Sequence, residues 1–146
     1  MIHRSQASKR REYVDRLEEL IAPYHVLRVG RIRPEWVAGI ATLSEDNLDV
    51  VLTQPRWAYV QAKPDGRARF VDLALAAVLN PDQVHRDRHA LNAIFYKRLG
   101  GRGYLKVVLW LQGQRSDRQH SIGDFYPKDT RKVEKKRKEW LVWQKE

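Results

Sequence analysis

Between residues 84 and 126 the chain passes through four short apolar-rich segments separated by polar or glycine-bearing links, and this pattern narrows the fold more than any other feature. The segments are VHRD (84–87), LNAIFYKRL (91–99), YLKVVLWLQ (104–112) and QHSIGDFY (119–126). They have strand length and are rich in β-branched and aromatic residues, and GGRG at 100–103 suits a hairpin turn. In YLKVVLWLQ, Leu105, Val107, Leu109 and Leu111 alternate with Tyr104, Lys106, Val108 and Trp110. One face is therefore core and the other mixed, as in an antiparallel meander.

Ahead of the meander the signals are mostly helical. SKRREYVDRLEELIA (8–22) has Ser8 as a candidate N-cap and places Tyr13, Val14, Leu17, Leu20 and Ile21 on one stripe, with Pro23 as its stop. HVLRVGRI reads as a short strand, and PEWVAGIATL after it as a short helix or irregular packing. SEDN (44–47) is a turn before LDVVLT (48–53), a strand. Pro64, Asp65 and Gly66 mark another turn, and RARFVDLALAAVL (67–79) then sets Phe70, Val71, Ala74, Leu75, Val78 and Leu79 on one helical face, ending at Asn80–Pro81. After Lys128, Asp129 and Thr130 signal a helix start ahead of a dense basic run. The expected fold is α+β: N-terminal helices on a twisted antiparallel sheet of about four strands, with a basic C-terminal helix. One domain spans residues 1–146, with flexible basic ends at 1–8 and 128–146.

The charge balance points to the partner. Twenty-eight Lys and Arg face eighteen Asp and Glu, a formal charge of +10, and a field of that sign draws polyanions. RNA is the first expectation and DNA the second; an acidic protein, such as an antitoxin, is a third. Cysteine is absent, which removes disulfides, thiolate metal sites and cysteine nucleophiles. The N-terminus lacks an apolar signal region, and no apolar run reaches the roughly 18 to 20 residues of a membrane span, so the expected location is cytoplasmic. There is no phosphate-binding loop, dinucleotide fingerprint, HExxH or G-x-S-x-G, and neither a cofactor nor a metal is expected.

Cations interleave with aromatics along the expected strands. Arg86, Arg88, Tyr96, Lys97, Lys106 and Tyr126, extended by Arg131 and Lys132 in the tail, are candidates for nucleic-acid contact, since cations meet phosphates and rings stack on unpaired bases. Metal-free RNA cleavage needs a base, an acid and cations for the developing phosphorane charge; Arg98, His120 and Ser121, with Lys97, Lys106, Asp124 and Tyr126, supply such groups if the last strands lie side by side.

The order LDVVLT, RWAYVQAKPD, RFVDLALAAVLNPDQVHRD, IFYKRL, YLKVVLW, SIGDFYP resembles the phage and mobile-element branch of the barnase/EndoU/colicin/RelE-like ribonuclease superfamily, over residues 48–127. That branch carries a tryptophan, a histidine and a basic residue before Pro-Glu or Pro-Asp, and a Thr-Ala-aromatic motif on the last strand. Trp57 matches; the histidine position falls on Tyr59 and the basic position on Lys63, while Ile122 to Tyr126 lacks the threonine. The resemblance implies a metal-independent endoribonuclease-like domain, toxin or phage-associated, with catalysis carried by Tyr59, Lys63, Arg98, His120 and Ser121. An inactive nucleic-acid-binding module and an inhibitor docking on an acidic partner are the alternatives.

Overall fold

The computed structural model describes residues 10–101, 103–115 and 117–146, so Arg102 and the whole basic end at 1–8, with the N-cap candidate Ser8, lie outside the described residues. Eight strands form one mixed sheet: β1 (Glu12–Val14), β2 (His25–Arg31), β3 (Asp49–Thr53), β4 (Gln83–Arg86), β5 (Asn92–Arg98), β6 (Gly103–Trp110), β7 (His120–Asp129) and β8 (Leu141–Gln144), in the spatial order β1-β2-β3-β7-β6-β5-β4-β8. Four helices accompany them: α1 (Pro34–Val37), α2 (Gln54–Gln61), α3 (Val71–Leu79) and α4 (Thr130–Trp140).

This overturns the expected four-stranded antiparallel sheet with helices in front. The antiparallel meander β4–β7 is its centre, but β1 pairs in parallel with β2, and β3 in parallel with β7. The helix expected over 8–22 is absent among the described residues of that stretch: Glu12–Val14 is an edge strand and Leu17–Glu19 a single 3-10 turn. Of its stripe, Val14 and Leu20 are buried but Ile21 is exposed. A short isolated helix is marginal, and the free edge of β2 offered main-chain hydrogen bonds in its place. The basic tail is built into the sheet: Asp129 caps α4, its side chain accepting from the Arg131 amide at 2.9 Å, and β8 then pairs with β4.

The core lies on one face. Ala93 and Phe95 of β5, Leu105, Val107 and Leu109 of β6, and Ile122 and Phe125 of β7 pack with Val71, Ala74, Ala77 and Val78 of α3. The alternation read in YLKVVLWLQ is thus realised, and Lys106, Val108 and Trp110 point to the opposite face. There α4 covers one half, with Val133 sealing a small second cluster of Ile94, Tyr96 and Tyr104. The other half is open. No helix among the described residues is long and apolar enough to cross a membrane.

Candidate nucleic-acid interface

The parallel pairing of β3 and β7 involves only Val50–His120 and Val51–Ser121. Beyond it α2 and the 3-10 turn Arg67–Phe70 lie against β7 and bring their cations over the open face. Thr53 starts α2, its hydroxyl accepting from the Arg56 amide at 3.4 Å, with Pro55 in the first turn. Arg56, Tyr59 and Lys63 then follow at helical spacing. Gly66, at φ 69°, makes the left-handed turn that redirects the chain into Arg67.

These side chains form a continuous cation–aromatic layer. Arg56 lies 4.0 Å from the Tyr59 ring centroid and 4.7 Å from that of Trp110, while its Nε donates to the Gly123 carbonyl at 2.9 Å. Lys63 sits 4.1 Å from the Tyr59 centroid, and its ammonium is the leading cause that holds the Tyr59 phenol below its ordinary value. Three cations surround the Tyr126 ring, Arg67 at 4.8 Å, Lys106 at 5.4 Å and Lys128 at 5.7 Å. Arg67 is anchored by Asp65 at 2.7 Å and Asp124 at 2.9 Å. Among the described residues Lys106 and Lys128 have no carboxylate within ion-pair distance. Trp110 and Tyr59 are 38% and 39% exposed, so part of each ring meets solvent beside the cations.

From Tyr126 the surface runs on to two cavities of about 380 Å³ each along α4. Lys128, Lys132, Lys135 and Lys136 border the first, and Arg86, Arg88, Lys106 and Lys136 the second. Like charges this close repel one another, and an anionic ligand relieves that repulsion.

Several candidate residues sit elsewhere. His120 is fully buried, with both ring nitrogens engaged: the Gln112 amide donates to Nδ1 at 2.9 Å, which leaves Nε2–H to donate to the Asn47 carbonyl at 2.8 Å. Burial lowers its pKa despite the Asn47 bond. It is a structural histidine, not an acid or base at the surface. Arg98 lies opposite Tyr104 whereas Ser121, beside His120, lies opposite Trp110, so Arg98 and His120 are separated by six residues of β6, about 20 Å. Arg98 stacks on Tyr104 at 5.4 Å, and its amide donates to Asp82. Lys97 donates to the Asn80 carbonyl at 2.7 Å and pairs with Asp82. Tyr96 is buried between His85 and Tyr104, and burial pushes its phenol up to about 12, so its ring faces are closed to stacking.

Tyr59, Lys63, Ser121, Lys106 and Tyr126 do share the open face, Ser121 opposite Trp110 and Tyr126 opposite Lys106. Arg86 and Lys132 flank the cavities, Arg88 lines the second, and Arg131 lies on the solvent side of α4. The sequence pattern does not single out Arg56, Arg67 or Lys128, whereas Lys136 falls in its basic tail run and Trp140 among the residues that could anchor that tail. The signal for the first was present in Thr53-Gln54-Pro55, a helix start that puts Arg56 and Tyr59 on adjoining turns.

Trp110 lies flat over Gly123, where an added Cβ would meet the indole ring. Gly123→Ala is therefore expected to displace Trp110 and lower stability by about 1–3 kcal/mol, read by urea unfolding; an unchanged midpoint would mean that the indole is not held there.

Comparison with protein-family models, curated proteins and solved structures finds no match to this chain.

Proposed function

We propose that the open sheet face binds single-stranded nucleic acid, RNA in the first instance, with phosphates on Lys106, Lys128 and the lysines of α4 and with bases on Trp110, Tyr59 and Tyr126. The Tyr126 ring among three cations carries this reading, because it couples a stacking surface to two lysines, Lys106 and Lys128, that have no carboxylate in ion-pair distance among the described residues. A second reading, metal-independent cleavage of the bound strand, draws on Tyr59 alone, whose phenol Lys63 holds below its ordinary value. Of the proposed catalytic set only Tyr59, Lys63 and Ser121 remain on this face.

The first test is binding of a labelled single-stranded RNA across a salt series. Affinity is expected to fall linearly with the logarithm of salt concentration, and Lys106→Ala and Lys128→Ala should each flatten the slope by about 0.7, one single-strand phosphate contact. Arg98→Ala should leave the slope unchanged. A flat salt response in the parent protein would overturn the proposal. Cyclic-phosphate ends formed in EDTA and lost in Tyr59→Phe would establish cleavage; intact RNA under every condition would restrict the function to binding.

A further inference from the structure

The second cavity, bounded by β4, β5 and α4, has a feature that charge alone does not explain. At its edge His85 is 1% exposed, and its Nδ1 is the one buried side-chain polar atom without a hydrogen-bond partner among the described residues. The neighbouring bonds fix its tautomer. Glu134 accepts from the Tyr104 hydroxyl at 3.0 Å and from Gln83 Nε2 at 3.3 Å. The Gln83 amide therefore turns its Oε1 toward His85, whose Nε2–H donates to it at 2.8 Å. Nδ1 is left as a bare acceptor. Protonation would fill it, but burial and the cations Arg137, Lys136 and Lys106 oppose a charged ring there, and Glu134 is the one carboxylate that favours it.

An orphaned acceptor asks for a donor, and the cations around it ask for an anion. Arg88, Lys106 and Lys136 line the cavity with no carboxylate in ion-pair distance among the described residues, although Asp87 also lines it, occupied by a bond from Asn92 at 3.1 Å. Trp140 adds an aromatic wall, backed by Arg86 at 5.9 Å. Its volume of about 380 Å³ lies within the range of small-molecule sites. A nucleotide combines these demands: a phosphate, a flat base, and donors on the base and on the ribose 2′-hydroxyl.

We propose that this cavity is a subsite for one nucleotide of the bound strand, its phosphate between Arg88, Lys106 and Lys136, and its base or 2′-hydroxyl donating a hydrogen bond to His85 Nδ1. The subsite rests on the nucleic-acid reading of the adjoining face and makes that face a reader as well as a grip. Nδ1 has almost no accessible surface in the free protein, so the nucleotide donor reaches it as the side chains over the cavity part.

The experiment is calorimetric titration of the full chain with CMP, dCMP and inorganic phosphate, beside a single-stranded RNA. CMP is expected to bind at least about tenfold more tightly than phosphate. His85→Gln retains a donor toward Gln83 but removes the Nδ1 acceptor; it should weaken CMP about tenfold and leave phosphate unchanged. If the donor is the 2′-hydroxyl, dCMP binds the parent protein as weakly as CMP binds the variant; if it is on the base, dCMP follows CMP. Equal CMP affinity in parent and variant would overturn the proposal. Should His85→Gln fail to fold, Arg88→Ala combined with Lys136→Ala, both at exposed positions, must lower CMP affinity at least about tenfold, and no change would overturn it. RNA binding without CMP binding would refute the subsite while sparing the surface, and loss of both would refute the surface reading too.

Discussion

Replacing His120 with alanine is expected to destabilise the protein by about 2–4 kcal/mol, which would make it one of the most damaging single changes outside the apolar core. The substitution leaves the Gln112 amide and the Asn47 carbonyl without partners in a buried setting, and opens a cavity the size of an imidazole. The damage spreads because Asn47 is itself a staple: its Nδ2 donates to the carbonyls of Arg115, at 2.9 Å, and Arg118, fixing the connection between β6 and β7 to the loop before β3. The two-residue parallel pairing of β3 with β7 begins at His120, so the same change loosens the joint that seats α2 and its cations over the open face. Urea unfolding of His120→Ala against the parent measures this directly. The reverse outcome, a parent-like midpoint with RNA binding or cleavage lost, would return His120 to the chemistry. Ser121→Ala, one residue away but half-buried on the open face, should shift the midpoint by no more than about 0.5 kcal/mol.

His120 also shows where the sequence stopped being informative. A histidine in a strand pattern beside Ser121 and Asp124 has the composition of a catalytic site, and only the depth of the parallel pairing with β3 turns it inward. Parallel pairing between segments some seventy residues apart leaves no local signature; β8 was hidden by an antiparallel partner, β4, that is also remote in the chain, and β1 by a parallel pairing with β2 that no hairpin turn announces. The meander was legible because its strands are consecutive in the chain and their alternation is strict over β6. The stripe at 13–21 misled for the opposite reason: its spacing suits a helix, but the β2 edge was a stronger competitor for two of its residues, Tyr13 and Val14.

The functional face was legible in kind more than in membership. Basic and aromatic residues on the polar side of β5–β7 were readable from alternation, and Lys106 and Tyr126 are indeed cross-strand neighbours. What spacing does not carry is the distance between the two ends of the sheet, which separates Arg98 from Ser121, or the insertion of α2 and Arg67 beside β7. Lys97 illustrates the same point, since its strand position faces away from the cations it adjoins in sequence and its ammonium is spent on the end of α3.

Lowering the pH is expected to weaken the fold well before the carboxylates titrate, through His85. Burial, reinforced by Arg137, Lys136 and Lys106 and only partly offset by Glu134, brings its pKa from 6.5 to about 4 in the folded protein. The unfolded chain therefore takes up the proton first. The stability that a neutral His85 contributes is complete above about pH 6.5 and is lost progressively as the pH falls toward 4, a total of about 3 kcal/mol at about 1.4 kcal/mol per pH unit. His120 shifts in the same direction, for the same dominant reason of burial, and steepens the decline. The acidic groups act in a lower window. Hydrogen bonds from Tyr104, Gln83 and Arg137 outweigh burial at Glu134, and the Arg67 bond outweighs it at Asp65; both carboxyls are held below their usual range, so their contribution is lost only as the pH falls through and below about 4. Self-repulsion of a chain carrying +10 at neutral pH would also mount with acid, and the variant separates the two causes. His85→Gln cannot titrate there, so its stability measured by urea unfolding at pH 7, 5.5 and 4.5 should decline by about 2 kcal/mol less over that span than the parent's. Parallel declines in the two proteins would place the acid sensitivity in the overall charge and take His85 out of it.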